Sequence, residues 1–304
     1  MWALLALTLL PGREKIPGAE VFSATMQGLH VVVTRPRATG KVPILFEVAW
    51  LSCDSVEQPK GPEDGFTQLI WDLAAHYATF RVDKPEPCSE LDFDHELAAY
   101  RTAFASLKEL DFVDRVYIVG FSNGGGIAPL VTDKAAGYLV FSGWYKTWLE
   151  HMLEHERRRM HITGVSEAEL NDKMKQYATF YDLYLNGRQT PGAVLKNHPQ
   201  FKPLWSDEPA RQYGRPAAFY WQLQSLNLGR AWSAVDAPAL LVHGSDDWIM
   251  SADDFALLAA ALNARNPGSA EFIEWRGLDH GLYTRGKKAD PALTEKVVTW
   301  VRAH

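Results

Sequence analysis

The sequence predicts an α/β protein with a mostly parallel central sheet, helices on both faces of the sheet and one inserted helical segment. Patterns typical of buried strands alternate with helical patterns over residues 42–142 and again after residue 238. Between these stretches the chain reads as helical, with breaks at Gly and Pro. We therefore expect a core formed by residues 1–143 and 236–304, interrupted by a helical insertion of residues 144–235.

The first half of the core begins with two strand-like runs, Glu20–Met26 and Leu29–Thr34, which flank Gln27-Gly28 and predict a hairpin. The next elements are expected at Val42–Trp50 (strand), Phe66–His76 (helix), Thr79–Val82 (strand), Ser89–Leu110 (helix), Val116–Val119 (strand), and Tyr138–Ser142 (strand). The apolar run from Val42 is typical of a strand that is buried on both faces. Pro129 should fit only near the first turn of its helix, because proline has no N–H to donate.

The alternation of strands and helices resumes after the insertion. Pro238–His243 reads as a buried strand, and Ser251 is expected to cap the helix that follows it. Ala270–Trp275 reads as the last strand. Asp290 followed by Pro291 predicts the start of a carboxyl-terminal helix, because proline suits the first helical position.

Composition and charge limit the classes of partner. The chain has 304 residues and a formal net charge of −6, and it contains no strongly basic stretch. Nucleic-acid binding is therefore not expected. The apolar stretch Met1–Leu10 is shorter than the roughly 20 residues that span a bilayer, and no stable membrane insertion is expected. This stretch resembles the core of a signal peptide without a basic start or an Ala-x-Ala site, or else it is a first strand. Export from the cytoplasm is favoured on this ground, and the oligomeric state is left open.

The sequence contains two cysteines, Cys53 and Cys88. Each is expected in a loop at the carboxyl end of a strand, and the two strands are expected to be neighbours. A disulfide between them and two unlinked thiols both fit this placement, and the sequence does not choose between them.

A Gly-x-Ser-x-Gly motif follows directly after the Val116–Val119 strand, with Ser122 at its centre. Such a serine lies on a sharp strand-to-helix turn that exposes its hydroxyl group. Gly120 and Gly124 are expected to be required there, because a Cβ atom at either position would collide with the neighbouring strand or helix. The helix amino terminus behind Ser122 offers unpaired N–H groups that suit a developing negative charge.

An acid and a histidine follow two later strands, in loops at the same edge of the sheet as Ser122. Asp246-Asp247 follows the Pro238–His243 strand, and His280 follows the last strand. In this order of serine, acid and histidine, the chain from Val42 onward resembles the α/β-hydrolase superfamily, and in particular bacterial serine esterases with a helical cap domain. In that family the acid stands three residues after a Gly, which selects Asp247 here.

The resemblance implies a catalytic triad, in which Ser122 is the nucleophile, His280 the general base and Asp247 the residue that orients His280. It also implies an oxyanion hole with two N–H donors. One donor is expected at Asn123. The family's His-Gly motif is absent after the Val42 strand, so position alone suggests Leu51 as the second donor, with Trp50 as the next choice.

Other polar residues are expected to have structural roles. His243 should be a buried, hydrogen-bonded core residue, and Arg157–Arg159 a solvated helix face rather than an anion site. The remaining helical histidines are expected to be solvated: His76, His95, His151, His155 and His161. Neither a metal site nor a cofactor is predicted, because no His and Cys spacing typical of metal ligands appears.

These residues predict a serine hydrolase that cleaves small-to-medium apolar or aromatic carboxylic esters through an acyl-enzyme. The aromatic-rich insertion favours such substrates, because ligand pockets are mostly apolar. The same triad also serves peptidases or amidases, thioesterases and C–C hydrolases, and these alternatives stay open. A non-catalytic binding module on this scaffold is the least favoured reading.

Overall fold

The strands of the described residues, 9–37 and 40–304 of a computed structural model, form a nine-stranded sheet and a separate two-stranded hairpin. In chain order they are β1 (Leu10–Pro11), β2 (Ala19–Met26), β3 (Leu29–Pro36), β4 (Val42–Val48), β5 (Ala78–Val82), β6 (Val113–Phe121), β7 (Gly137–Phe141), β8 (Arg211–Gln212), β9 (Arg215–Pro216), β10 (Ala239–Gly244) and β11 (Ala270–Trp275). The order in the sheet is β1-β2-β3-β5-β4-β6-β7-β10-β11. Neighbours from β5 to β11 are parallel, and the strands before them are antiparallel.

Helices cover both faces of the sheet and fill the long connection between β7 and β10. They are α1 (Gly65–Leu73), α2 (Phe93–Ser106), α3 (Asn123–Val131), α4 (Trp148–Ile162), α5 (Glu167–Tyr181), α6 (Pro191–Asn197), α7 (Ala217–Gln224), α8 (Leu228–Ser233), α9 (Ala252–Arg265) and α10 (Pro291–Ala303). Side chains of α1 and α10 share one apolar cluster, which includes Leu69 and Val297. Side chains of α2, α3 and α9 share the cluster on the opposite face. The predicted α/β class, with a mostly parallel sheet between helices, is confirmed.

The predicted hairpin is confirmed as the β2–β3 pair, in which Ala24 lies opposite Val31. Of the apolar amino-terminal stretch, residues 1–8 lie outside the described part of the chain. Leu10–Pro11 pairs with β2 in the antiparallel sense. Within residues 9–37 and 40–304, no helix has the length and apolar character needed to cross a bilayer.

Helix α3 differs from the expectation for Pro129. The proline lies at the seventh of nine helical residues, and not in the first turn. The missing N–H of Pro129 leaves the carbonyl group of Gly125 without its usual helical partner. Because α3 ends two residues later, at Val131, the proline breaks a single bond at the end of a short buried helix.

The connection between β7 and β10 contains helices α4 to α8 and the β8–β9 hairpin. Its aromatic side chains pack on one another and belong to the same apolar cluster as buried side chains of the sheet and of α2, α3 and α9. Trp148 lies edge-on to Trp144, with ring centroids 5.3 Å apart, and also contacts Tyr220. The inserted segment is therefore packed on the core through a continuous apolar interface.

Glu47 is a buried acid on the central strand β4, with only 3% of its surface exposed. Burial raises the pKa of its carboxyl group from the ordinary value of about 4.5 to about 7, although the nearby Arg81 guanidinium acts in the opposite direction. The folded protein therefore holds this proton more tightly than the unfolded chain. Stability should fall as the pH rises from about 4.5 through about 7, where the unfolded chain releases the proton first.

Glu47→Gln should remove this loss of stability. Urea unfolding at a series of pH values measures the effect. Between pH 5 and pH 8.5, the free energy of unfolding of the variant should rise relative to that of the natural protein by on the order of 2–3 kcal/mol, as expected for a buried carboxyl group. Glu20→Gln, on the exposed edge of β2, is the matched control and should show no comparable gain. A Glu47→Gln effect that is constant across this pH range would contradict the assignment.

Candidate active site

Ser122 occupies the turn between β6 and α3. Its φ of 52° and ψ of −119° lie in a region that residues with a Cβ atom rarely adopt. Two backbone hydrogen bonds hold the turn: the Ser122 N–H donates to the Phe141 carbonyl (3.0 Å), and the Gly125 N–H donates to the Ser122 carbonyl (2.9 Å). The surrounding strands and helix thus impose a strained backbone on this serine.

Gly120 and Gly124 allow this turn to form. A Cβ atom at Gly120 would lie 2.8 Å from the carbonyl oxygen of Gly124, closer than real contacts allow. A Cβ atom at Gly124 would overlap the carbonyl oxygens of Val48 and Ala49 at the end of β4. The prediction that a Cβ atom at either position would collide with its neighbours therefore agrees with the structure.

The structure brings Ser122, His280 and Asp247 into a hydrogen-bonded line. His280 Nε2 lies 3.0 Å from Ser122 Oγ, and His280 Nδ1 lies 2.9 Å from Asp247 Oδ2. These contacts fit an imidazole that donates from Nδ1 and accepts at Nε2, the tautomer that this hydrogen-bond pattern assigns. The three residues come from loops after β6, β10 and β11, which end at the same edge of the sheet.

Asp247 is fixed on both of its carboxylate oxygens. Its Oδ1 atom accepts hydrogen bonds from the backbone N–H groups of Ile249 (2.8 Å) and Met250 (3.0 Å). Burial acts to raise the pKa of Asp247, but the His280 hydrogen bond and charge outweigh burial and hold that pKa below its ordinary value. The carboxylate is therefore ionised beside His280 at neutral pH.

The neighbouring Asp246 points elsewhere. Its carboxylate accepts a hydrogen bond from Arg285 Nε at 2.8 Å, and that arginine side chain is largely exposed. The geometry therefore separates two adjacent acids, of which Asp247 contacts His280 and Asp246 contacts a surface arginine.

The loop that follows β4, residues Trp50–Cys53, is here called the β4 loop. Trp50 and Leu51 line the same cavity as Ser122 and Asn123. Just before this loop, the Ala49 N–H donates to the Tyr100 hydroxyl group at 3.1 Å. Within the described residues, the N–H groups of Leu51 and Asn123 make no hydrogen bond. These two N–H groups are thus available to a bound molecule.

The cavity above Ser122 has a volume of about 920 Å³. Its floor is formed by the loops at the sheet edge and its roof by side chains of the inserted segment. Aromatic residues contribute much of the wall, including Trp50, Phe66, Trp148 and Trp248. Such a volume is typical of small-molecule sites.

His151 and His155 were expected to be solvated, and this prediction is wrong. Both are buried in the cavity wall, with 5% and 8% of their surfaces exposed. Burial lowers the pKa of each imidazole, that of His151 well below its ordinary value, so both are neutral at neutral pH. Their spacing from Trp148 and Met152 is that of one helix face, the sequence signal that could have placed them inside.

The expectation for Arg157–Arg159 holds only for Arg157, which is exposed. Arg158 donates to the carbonyl groups of Trp248 and Ile249 (both 2.8 Å), next to Asp247. Arg159 Nη2 lies 2.7 Å from Glu156 Oε2 and donates to the Tyr177 hydroxyl group at 3.0 Å. Arg158 therefore connects α4 to the loop after β10, and Arg159 connects α4 to α5.

The predictions for four further histidines agree with the structure. His76, His95 and His161 are exposed, and His243 is buried with its Nε2 atom 3.4 Å from the Met250 carbonyl oxygen. Across residues 9–37 and 40–304, no group of three or more His, Cys, Asp or Glu side chains could hold a metal ion.

The structure joins Cys53 to Cys88 in a disulfide, with Cα atoms 5.7 Å apart. The bond connects the last residue of the β4 loop to the segment after β5. Arg215 on β9 lies against it, with Nη1 3.1 Å from Cys88 Sγ. The Arg215 guanidinium also forms a buried ion pair with Glu96 of α2. The β4 loop is therefore anchored to both the core and the inserted segment.

The mostly parallel sheet with helices on both faces has the architecture of the α/β-hydrolase fold. No protein-family model matches the chain. Among curated proteins, Esterase EstD of Thermotoga maritima is 22% identical over an alignment of 282 positions, gaps included, which covers 88% of this chain and 61% of the relative. The chain thus spans about three fifths of the length of that esterase.

Several solved structures share the fold. Est1E of Butyrivibrio proteoclasticus, in its structure with bound ferulic acid, has a TM-score of 0.61 at 15% identity and covers 92% of this chain and 98% of its own. A hormone-sensitive lipase from a metagenome library has a TM-score of 0.54 at 18% sequence identity. An esterase of Pyrobaculum calidifontis has a TM-score of 0.53 at 17% sequence identity. Each of these two comparisons covers 95% of this chain and 85% of the other. The protein is therefore similar to esterases and lipases.

Removing the disulfide should destabilise the protein. Replacing both Cys53 and Cys88 by Ser frees a segment of 35 residues in the unfolded chain, which by the entropy of loop closure should reduce the free energy of unfolding by about 4 kcal/mol. Urea unfolding should show this loss, and a reductant acting on the natural protein should reproduce it. An unfolding midpoint that neither change moves would contradict the bond.

Proposed function

We propose that the protein is a serine hydrolase that cleaves carboxylic esters through an acyl-enzyme. The observation that carries the proposal is the pair of short contacts that His280 makes with Ser122 and Asp247, at 3.0 and 2.9 Å. The similarity to esterases and lipases supports the same reaction class.

In the first half of the proposed reaction, Ser122 Oγ attacks the ester carbonyl carbon while its proton passes to His280 Nε2. The carbonyl oxygen becomes an oxyanion, which the N–H groups of Asn123 and Leu51 receive. The bond between the carbonyl carbon and the alcohol oxygen then breaks. His280 returns the proton to the departing alcohol, and the acyl group stays on Ser122.

A water molecule completes the cycle. It attacks the acyl carbon while His280 takes one of its protons, and the bond to Ser122 Oγ breaks with return of that proton to the serine. Asp247 holds the imidazole in the required tautomer and stabilises its positive form through both steps. Its two backbone hydrogen bonds keep it in place as the charge on His280 changes.

The cavity supports the proposed substrate class, which is small-to-medium apolar or aromatic esters. Its aromatic wall suits an apolar acyl or alcohol group, and its volume of about 920 Å³ admits one. His151, which is close enough to His280 for their charges to interact, is neutral, and so is His155, so neither adds positive charge to the cavity wall. We propose that residues 144–235, which carry these side chains, form the cap of this site over a core of residues 1–143 and 236–304.

Ser122 should be the residue that reacts with a fluorophosphonate. The folded protein should become labelled at Ser122, and Ser122→Ala should abolish both labelling and ester turnover, with a loss in kcat of at least about 10⁴-fold for a missing nucleophile. Mass spectrometry of the labelled peptide and hydrolysis of p-nitrophenyl esters measure these effects.

Ser233→Ala, on the exposed end of α8, is the control and should leave both signals intact. A matched p-nitroanilide and a thioester should be cleaved more slowly than the ester. Ester turnover that survives in Ser122→Ala would refute the proposal, and faster cleavage of the anilide or thioester would change the bond that is assigned.

The two adjacent acids provide a matched pair of variants. Asp247→Asn should reduce kcat by about 10⁴-fold, because the amide no longer stabilises the protonated imidazole or fixes its tautomer. Asp246→Asn should change kcat by less than about threefold, because the Asp246 carboxylate accepts hydrogen bonds from the exposed residues Arg285 and Ser245 and surface changes have small effects. Steady-state hydrolysis of one ester by both variants is sufficient, and equal losses in the two would exclude the assigned role of Asp247.

A further inference from the structure

The β4 loop is held by positively charged side chains at consecutive carbonyl groups. Lys84 Nζ donates to the carbonyl oxygens of Trp50 and Ser52, both at 2.7 Å. Arg215 Nη1 donates to the Leu51 carbonyl oxygen between them, at 3.4 Å. Each carbonyl group of the segment from Trp50 to Ser52 therefore faces a cation.

Lys84 follows β5 and is partly buried, with its ammonium group turned toward the loop. Burial lowers the pKa of this ammonium group, although the nearby charge of Glu96 acts to raise it. Within the described residues, Lys84 makes no ion pair at 4 Å or less, and both of its hydrogen bonds go to the loop. A partly buried ammonium group without a paired carboxylate is unfavourable unless other groups accept its hydrogen bonds. The two carbonyl groups of the β4 loop do so, and they account for the direction in which the Lys84 side chain points.

The direction of the Trp50 carbonyl group fixes the direction of the next N–H. A trans peptide group is planar, so its N–H and C=O bonds point to opposite sides. Because the Trp50 oxygen points to Lys84, the Leu51 N–H points away from Lys84. Trp50 and Leu51 line the cavity above Ser122, whereas Lys84 does not. The Leu51 N–H is therefore directed to the cavity side of the loop.

The same argument disfavours Trp50 as the donor. The Ala49 carbonyl oxygen lies against Gly124 at the start of α3, where a Cβ atom on the glycine would overlap it. The Trp50 N–H belongs to the same peptide group and hence points away from Gly124. A donor that serves an oxyanion beside Asn123 must point toward the start of α3, which leaves Leu51.

We propose that Lys84 is a positioning residue for the oxyanion hole. It holds the Trp50–Leu51 peptide group so that the Leu51 N–H faces the ester carbonyl oxygen. A cation on the carbonyl group also polarises the peptide, which strengthens the N–H as a donor. Arg215 and the Cys53–Cys88 disulfide fix the other end of the loop. This inference rests on the proposed ester hydrolysis.

Lys84→Met keeps the length of the side chain and removes its three donors. Loss of one oxyanion donor typically lowers kcat by about 10²- to 10³-fold, and a loosened donor should lose less. We therefore expect kcat for a p-nitrophenyl ester to fall by about 10- to 100-fold, with KM changed by less than about threefold, since the ground state makes little use of this donor. Lys84→Arg, which retains the charge and donors, should recover part of the loss.

Lys146→Met is the matched control. Lys146 is also a partly buried lysine with hydrogen bonds, to Glu154 (2.5 Å) and Asp254 (3.1 Å), but it touches neither the β4 loop nor the cavity. Its replacement should lower stability without a tenfold change in kcat. Comparing the two variants separates a loss of stability from a loss of oxyanion binding.

A transition-state analogue gives the second readout. An aryl trifluoromethyl ketone forms a tetrahedral adduct with a serine, so its inhibition constant should rise across Lys84→Arg and Lys84→Met by the same factor as kcat/KM falls. Affinity for the product acid should stay constant. If Lys84→Met does not fold, Lys84→Gln takes its place in the series.

The outcomes distinguish this inference from the function on which it rests. If the natural protein turns over esters through Ser122 but the Lys84 variants keep kcat within threefold of Lys146→Met, the positioning role is refuted and the hydrolase stands. The same follows if affinity for the product acid falls in step with affinity for the ketone. If the natural protein does not turn over esters, both proposals fail together.

Discussion

The start of α3 packs directly against the end of β4, and the geometry of the candidate site depends on this contact. Gly124 lies so close to the carbonyl oxygens of Val48 and Ala49 that no side chain fits between them. The parallel register of β4 and β6, in which Val48 lies opposite Gly120, sets the two strand ends level. Ser122 and the β4 loop are consequently adjacent. The N–H groups of Asn123 and Leu51, which make no hydrogen bond within the described part of the chain, belong to residues that line the same cavity.

The remaining parts of the site are built on this contact. The parallel strands β10 and β11 end at the same edge, so Asp247 and His280 come from loops that are themselves joined. The Asp246 N–H donates to the Leu278 carbonyl at 2.9 Å, which links the two loops just below the histidine. Phe66 of α1 packs edge-on to His280, with centroids 5.9 Å apart. The line of hydrogen bonds is thus supported by the backbone on one side and by an aromatic ring on the other.

Two features of the sequence predicted most of the fold and the site: the periodicity of apolar residues, and the polar residues that directly follow predicted strands. The alternation of apolar strands and amphipathic helices defines the α/β sheet, because buried parallel strands need helices on both faces. It also brings Ser122, Asp247 and His280 to one edge. Their proximity could be anticipated without knowing any side-chain conformation, since the carboxyl ends of parallel strands face the same way.

The misses are residues whose surroundings depend on packing between distant segments. His151 and His155 lie on a helix rich in charged residues, and only the placement of α4 over the cavity shows which face is buried. Arg158 gains its partners from the loop after β10, more than 80 residues away. Lys84 and Arg215 contact the β4 loop only because the segment after β5 and the β8–β9 hairpin both pack against that loop. No local pattern contains these contacts.

The central claim is that a serine at the α3 turn and two N–H groups on adjoining segments form one oxyanion site. A crystal structure of the protein after reaction with a fluorophosphonate tests it most directly. We predict phosphorus bonded to Ser122 Oγ, with one phosphonyl oxygen about 3 Å from the backbone nitrogens of both Asn123 and Leu51. An adduct on another residue, or a phosphonyl oxygen beyond hydrogen-bond reach of both nitrogens, would contradict the account.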